Sequence, residues 1–204
     1  MLYKFYIFSL LITGFISVLA CLLFQYNKNG LLKKSIIAWI ATRFIGDVLT
    51  ITLKELFNQN VYPIFHSAIL LEAFLMILYF LSMKKTVSKS TYFLFLIPIV
   101  AFIFDLFFFG GLFQDPRLGY IFYYFLSCIL LFVLLKDSKI VDRLNVLVIK
   151  SLFLFHAIQF VYCLFDSDIR ASTELMFLIY PIFFLSVISF NVFFTSFLWL
   201  TRKN

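Results

Sequence analysis

Seven apolar stretches, each about as long as a bilayer-spanning helix, constrain the fold of this chain more than any motif does. Crossing a bilayer as a helix takes roughly 20 consecutive apolar residues. The stretches are bounded by polar or turn-forming residues; they cover residues 3–25, 35–57, 61–82, 91–110, 118–135, 145–165 and 176–200. The runs are continuous rather than alternating, which favours helices over the short strands of a membrane barrel. We therefore predict an all-α polytopic membrane bundle of seven transmembrane helices, forming a single transmembrane domain over residues 1–204.

The composition agrees with lipid, rather than water, as the main solvent. Hydrophobic residues make up 64% of the 204 residues and charged residues only 13%. Soluble domains are nearer half apolar and a quarter charged, so a soluble globule of this composition would have an apolar surface. The net charge of +7 does not indicate nucleic acid, because the cations form no basic stripe on a soluble face.

The positive residues alternate between the two sides of the predicted bundle. Those on one side occupy the links after helices 1, 3 and 5 and the C-terminal tail; they are Lys28, Lys33, Lys34, Lys84, Lys85, Lys89, Lys136, Lys139, Arg143, Lys150, Arg202 and Lys203. The other side holds only Lys4, Lys54, Arg117 and Arg170, together with five acids. Because Lys and Arg accumulate in cytoplasmic loops, we predict an outside N-terminus and an inside C-terminus in a bacterial cytoplasmic membrane.

Helix 2 carries a row of polar residues that a lipid-facing helix would not tolerate. Arg43, Asp47, Thr50 and Lys54 are spaced by four, three and four residues, which places them on one helical face. The apolar residues of helix 2 favour insertion by about 5 kcal/mol, whereas Arg43 and Asp47 together oppose it by about 6 kcal/mol. Helix 2 is therefore predicted to lie inside the bundle, with its polar face toward other helices.

Ionisable groups on three helices are predicted to converge on one outward-leaning cavity. Glu72 lies about 16 Å and Asp47 about 18 Å along their helices, counted from opposite membrane faces, so their carboxylates share a plane. The candidate ligand-binding or network residues are Arg43, Asp47, His66, Glu72, His156 and Gln159. Two carboxylates and two imidazoles would support acid–base work; in an enzyme, the catalytic candidates are Asp47, Glu72, His66 and His156. The alternative is a hydrogen-bond network that only holds the helices together.

Other polar residues in the apolar runs favour structural roles. Asn191 and Thr195 form a pair four residues apart on helix 7, and Asp105 lies near an interface, where we expect it to be hydrated. The three cysteines lie in three different runs, which indicates neither a disulfide framework nor a zinc site. No metal-ligand spacing involves the two histidines, so we predict no metal and no cofactor.

Two resemblances arise around helices 2 and 3. The stretch Asn60–His66 followed by Glu72 resembles small seven-helix bacterial integral membrane proteins, and this resemblance implies no particular activity. Lys34-Ser35, Gly46–Leu49 and His66 resemble part of the pattern of lysoplasmalogenase-like membrane proteins. That resemblance implies hydrolysis of a lysolipid vinyl ether, with Asp47 as an acid–base candidate. The chain departs from the pattern at Ser35, where proline is expected, and in helix 3, which lacks the glycine of that family.

The sequence leaves three classes of function open. The absence of a strong catalytic signature and the short loops favour a sensor, regulator or accessory subunit of a signalling or defence system, acting with a membrane or cytoplasmic protein partner. The first alternative is an intramembrane lipid-directed hydrolase that uses Asp47 and Glu72. The second is a small transporter or pore, with the polar face of helix 2 as its path.

Overall fold

The computed structural model describes residues 2–26, 34–84, 93–108, 111–137 and 143–201. Within these ranges the chain forms seven helices: α1 Leu2–Tyr26, α2 Lys34–Phe57, α3 Tyr62–Met83, α4 Leu96–Phe108, α5 Arg117–Lys136, α6 Arg143–Ala171 and α7 Thr173–Thr201. The predicted all-α bundle is therefore confirmed. Several of the cations used to predict orientation lie outside the described residues, as do both ends of the predicted fourth stretch; these cations are Lys28, Lys33, Lys85, Lys89, Lys139, Arg202 and Lys203.

Five of the helices are long and apolar enough to cross a membrane. These are α2, α3, α5, α6 and α7, each with an apolar span of 20 to 22 described residues. The apolar parts of the other two are shorter, at Ile7–Leu23 and Phe93–Phe108. Large apolar side chains such as Phe8, Phe107 and Leu154 remain exposed, as expected for a surface that meets lipid.

Six of the seven helices form a closed ring in the order α1, α2, α3, α5, α6, α7. Each packs against its two neighbours in this order, and α7 returns to α1. In the described residues α4 packs only against α3 and α5, so it lies outside the ring. Helices on opposite sides of the ring, such as α2 and α6, do not approach each other through their backbones. The ring therefore has an interior that only side chains or a ligand can fill.

The turn between α2 and α3 is fixed by residues suited to tight backbone geometry. Asn58 has a φ of 49°, a left-handed conformation that Asn tolerates better than most residues. The next residue, Gln59, donates its backbone N–H to the Leu53 carbonyl at 3.0 Å, which folds the chain back against the last turn of α2. Asn60 then accepts the Tyr62 N–H at 2.9 Å, so α3 begins only a few residues after α2 ends.

Asp105 joins α4 to the first turn of α5. Its carboxylate accepts the backbone N–H of Leu118 at 3.2 Å and that of Gly119. Those N–H groups belong to the first turn of a helix, where no intrahelical acceptor exists. The expectation that Asp105 is hydrated is therefore wrong. The residue is only 2% exposed, and its carboxylate accepts hydrogen bonds from backbone amides of α5.

Candidate functional site

The interior of the ring holds a cavity of about 1140 Å³ that is bordered by all six ring helices. We call the end of the bundle with residues 58–61 and 111–116 the outer end, after the orientation that the loop charges predict. The cavity opens at this end, since Asn58, Asn60 and Arg117 border it. At its other end the ring is filled by buried apolar side chains, including Ile36, Leu131 and Leu152.

The polar face of α2 borders the cavity from its depth to its mouth. Arg43, Asp47, Thr50 and Lys54 all border it, in agreement with the spacing of these residues. Trp39 lies four residues before Arg43 and continues the same face toward the inner end. Trp39 was not predicted as a site residue, although its spacing of four residues from Arg43 places it on this face.

The side chains of Trp39, Tyr123 and His156, joined by hydrogen bonds, and the Phe155 ring packed against them fill the ring beneath the cavity; we call these four residues the floor cluster. Trp39 Nε1 donates to the Tyr123 hydroxyl at 2.7 Å. His156 Nδ1 lies 2.7 Å from the Leu152 carbonyl oxygen, which can only accept, so Nδ1 carries a proton. His156 Nε2 can then accept from the Tyr123 hydroxyl, 3.2 Å away. The polar atoms of these three side chains are thus all paired.

The floor cluster links opposite sides of the ring. The Trp39 ring on α2 lies 5.4 Å from the His156 ring on α6 and 5.9 Å from the Phe190 ring on α7, measured between centroids. Trp39 and His156 are both fully buried. His156 therefore belongs to a sealed structural cluster and does not border the cavity, as the alternative of a hydrogen-bond network between helices implies.

Arg43 rests on the floor cluster and reaches Glu72 across the gap between α2 and α3. Its Nη1 lies 3.8 Å from Glu72 Oε2. Its guanidinium carbon lies 4.6 Å from the centroid of the Phe155 ring and 5.9 Å from that of Trp39, within the range of cation–π attraction. Arg43 is therefore held at the bottom of the cavity by one carboxylate and two aromatic rings.

Several polar groups that border the cavity have bonding capacity left: Arg43 Nε, Thr50 Oγ1 and Gln159 Oε1 have no hydrogen-bond partner in the described part of the chain. Asp47 borders the cavity, and the single ion pair among the described residues is that of Arg43 with Glu72. Gln159 is fully buried and donates from Nε2 to Ser186 Oγ at 3.0 Å. Its Oε1 has no hydrogen-bond partner in the described part of the chain, and the residue also borders the cavity.

His66 lies on the far side of α3, away from the cavity. Its Nε2 donates to the Gln114 carbonyl at 3.1 Å, and its ring meets Phe102 of α4 edge to face at 5.8 Å. Nearby, Asn60 donates to the Phe113 carbonyl at 2.9 Å. His66 and Asn60 thus attach the 111–116 loop to the start of α3, and the structure does not bring His66 together with Asp47 and Glu72.

Asn191 and Thr195 join α7 to α1. Ser17 on α1 donates to the Asn191 carbonyl at 3.0 Å, and its oxygen lies 2.9 Å from Thr195 Oγ1. The Asn191 side chain donates to Thr13 Oγ1 at 3.4 Å. These bonds hold together the first and last helices, whose contact closes the ring.

The described residues contain no group of three or more His, Cys, Asp or Glu side chains placed to hold a metal ion. Comparisons with protein-family models, curated proteins and solved structures return no match. Any function must therefore be argued from the cavity itself.

Proposed function

We propose that the chain is a multi-pass protein of a bacterial cytoplasmic membrane in which all seven helices cross the bilayer and the outer end faces the exterior. The length and apolar character of five helices support this, as does the alternation of loop charges. Labelling with an impermeant amine reagent should then modify Lys54 in intact cells and Lys84 only after lysis. Modification of both residues in intact cells would contradict the orientation.

Within this topology, we propose that the chain is a non-enzymatic sensor, regulator or accessory subunit that binds a small ligand in the ring cavity. The observation that carries the proposal is a cavity bordered by six helices that ends blind on the floor cluster. A ligand that contacts all six helices can favour one arrangement of the ring over another. Because the described loops are short, such a change would be passed on through a partner protein.

Cysteine accessibility tests whether the cavity is open to the exterior. The background variant has Cys21, Cys128 and Cys163 replaced, since these are the native thiols. In this background, Thr50→Cys places a thiol at the cavity, and its neighbour Leu49→Cys places one on the exposed apolar face. A cationic, impermeant thiosulfonate added outside should modify the first and leave the second unmodified in the bilayer. Absence of modification at position 50, or modification only from inside, would contradict the proposal.

Purification in native lipid tests the dependence on a partner. The tagged chain, extracted from its own membrane into lipid nanodiscs, should retain a specific protein in a fixed ratio. A tagged unrelated multi-pass protein of similar size serves as the control. Recovery of the same proteins with both baits would count against a sensor or accessory role.

A lipid-directed hydrolase is the second candidate, since the carboxylates of Asp47 and Glu72 both border an aromatic-walled cavity. Purified protein would then release fatty aldehyde from lysoplasmalogen. The Asp47→Asn, Glu72→Gln double variant would lose this activity, whereas Glu174→Gln, which removes an exposed carboxylate outside the cavity, would keep it. That result would replace the non-enzymatic proposal. A transporter would instead have to open the floor cluster, and solute flux in reconstituted vesicles would reveal it.

A further inference from the structure

We infer that the ligand of the ring cavity is an organic cation whose ammonium group pairs with Asp47. This inference names the ligand class for the proposed binding function and rests on it. Three observations carry it: the charge at the bottom of the cavity, the bonding capacity left on its polar groups, and the aromatic character of its walls.

The bottom of the cavity holds two carboxyl side chains, Asp47 and Glu72, and one cationic side chain, Arg43. Arg43 neutralises one carboxylate through its ion pair with Glu72 and is turned toward Phe155 and Trp39 by cation–π contacts. Asp47 therefore adds a formal negative charge that no ion pair to a described residue balances. Uncompensated charge is unfavourable at this depth in a membrane, so a cationic ligand that enters the cavity gains a counter-ion already in place.

Two polar atoms beside the cavity that lack a hydrogen-bond partner in the described part of the chain can accept one, Gln159 Oε1 and Thr50 Oγ1, and Arg43 Nε is an unpaired donor. The Gln159 side chain is fully buried, and its Oε1 accepts no hydrogen bond in the described part of the chain. Its amide is held by Ser186, which fixes this oxygen as the free atom of the group. A carboxylate and an amide oxygen together are suited to an N–H donor. An anionic ligand would have to compete with Glu72 for Arg43 and would lie beside Asp47.

The charge of the whole cavity also selects cations. Five carboxylates border it, at Asp47, Glu55, Glu72, Asp115 and Asp166. Only three cationic groups do so, at Arg43, Lys54 and Arg117. The excess of negative charge extends to the mouth, where it would attract a cation from the exterior.

The walls indicate an organic rather than an inorganic cation. Five tyrosines border the cavity: Tyr62, Tyr120, Tyr124, Tyr162 and Tyr180. Aromatic faces attract ammonium groups through their quadrupole and also bury the apolar part of the ligand. A metal ion would instead need several oxygen ligands at short distances, and the described residues contain no cluster of three or more His, Cys, Asp or Glu side chains. A cavity of about 1140 Å³ is also far larger than a bare ion requires.

The test measures the binding of three aromatic probes to the full chain in nanodiscs. Binding is detected by ligand-observed NMR, and the signal from empty nanodiscs is subtracted. The probes are benzylammonium, benzyl alcohol and benzoate, which share a ring and differ in charge. The ammonium probe should bind saturably, and Asp47→Asn should weaken its binding about tenfold or more. Asp47→Glu keeps the charge and should retain most of the binding, and Glu174→Gln, a matched charge loss outside the cavity, should bind like the parent.

Equal binding of the ammonium probe to the parent chain and to Asp47→Asn would overturn the inference, as would no saturable binding of that probe. Saturable binding of benzoate or benzyl alcohol in its place would also overturn it, while leaving a ligand-binding role intact. The proposed function is judged separately by the accessibility of position 50. Circular dichroism shows whether each variant is folded. If Asp47→Asn does not fold, the binding of the ammonium probe to Asp47→Glu still tests the inference.

Discussion

The floor cluster predicts a specific and measurable loss of stability when the Tyr123 hydroxyl is removed. Tyr123→Phe keeps the ring and its packing but deletes the acceptor of Trp39 Nε1 at 2.7 Å and the donor to His156 Nε2 at 3.2 Å. Both partners are fully buried, so water does not replace the lost bonds. The substitution therefore removes two buried hydrogen bonds, and Glu72 remains as the other side chain that interacts with Trp39.

The loss in the free energy of unfolding caused by Tyr123→Phe lies between a lower and an upper limit. Interhelical hydrogen bonds in membrane proteins contribute about 0.6 kcal/mol each on average, so two lost bonds give about 1 kcal/mol. A buried polar group left unpaired costs about 1–3 kcal/mol, so two such groups give at most about 6 kcal/mol. Because the site is sealed but its neighbours can relax slightly, we expect Tyr123→Phe to lower the free energy of unfolding by about 2–3 kcal/mol.

The assay is reversible unfolding by sodium dodecyl sulfate in mixed micelles, and circular dichroism monitors the loss of helix. Tyr79→Phe is the matched control: Tyr79 is also buried, at 2% exposed, and its hydroxyl takes part in none of the side-chain bonds described above. This control should change stability by less than about 0.5 kcal/mol. If Tyr123→Phe is as stable as Tyr79→Phe, the floor cluster is not a hydrogen-bonded unit and the reasoning fails.

Three further substitutions test other parts of the bundle by the same titration. Asp105→Ala removes the acceptor of two amides in the first turn of α5 and should lower stability by about 1–3 kcal/mol, whereas Glu174→Ala should have little effect. Gly119→Ala should cost about 1–3 kcal/mol, because a Cβ there would lie 2.7 Å from an Asp105 carboxylate oxygen; stability equal to the parent would contradict this packing. Ser17→Ala should cost about 1 kcal/mol by removing bonds between α1 and α7, and Ser9→Ala, on the same helix, should be neutral.

The sequence was sufficient to predict the helices and the polar face of α2. Long apolar runs with polar ends leave little freedom in where a membrane helix begins and ends, so α2 at Lys34–Phe57 lies close to the predicted 35–57. The spacing of Arg43, Asp47, Thr50 and Lys54 describes a helical face, and that face borders the cavity. Depth along a helix also follows from residue counting, which is why Asp47 and Glu72 were expected at the same level.

The sequence did not allow us to predict how each helix is rotated about its axis or which helices are neighbours. His66 and Glu72 are six residues apart on α3, and their side chains leave the helix in different directions; one meets α4 and the 111–116 loop, the other the ring interior. The partners of Asp105 are backbone amides, which carry no side-chain signal. The role of His156 depends on Trp39 and Tyr123, which lie on two other helices and are distant in sequence.

Closure of the ring by α1 and α7 is the claim on which the cavity depends, and disulfide cross-linking in native membranes tests it most directly. In a background without the native cysteines, Thr13→Cys is combined with Asn191→Cys, since these side chains lie 3.4 Å apart between Oγ1 and Nδ2. The control combines Thr13→Cys with Phe102→Cys on α4, which does not contact α1 in the described residues. We expect rapid oxidation of the first pair and none of the second. An absence of cross-linking in the first pair, or equal cross-linking in both, would contradict a ring of six helices with α4 outside it.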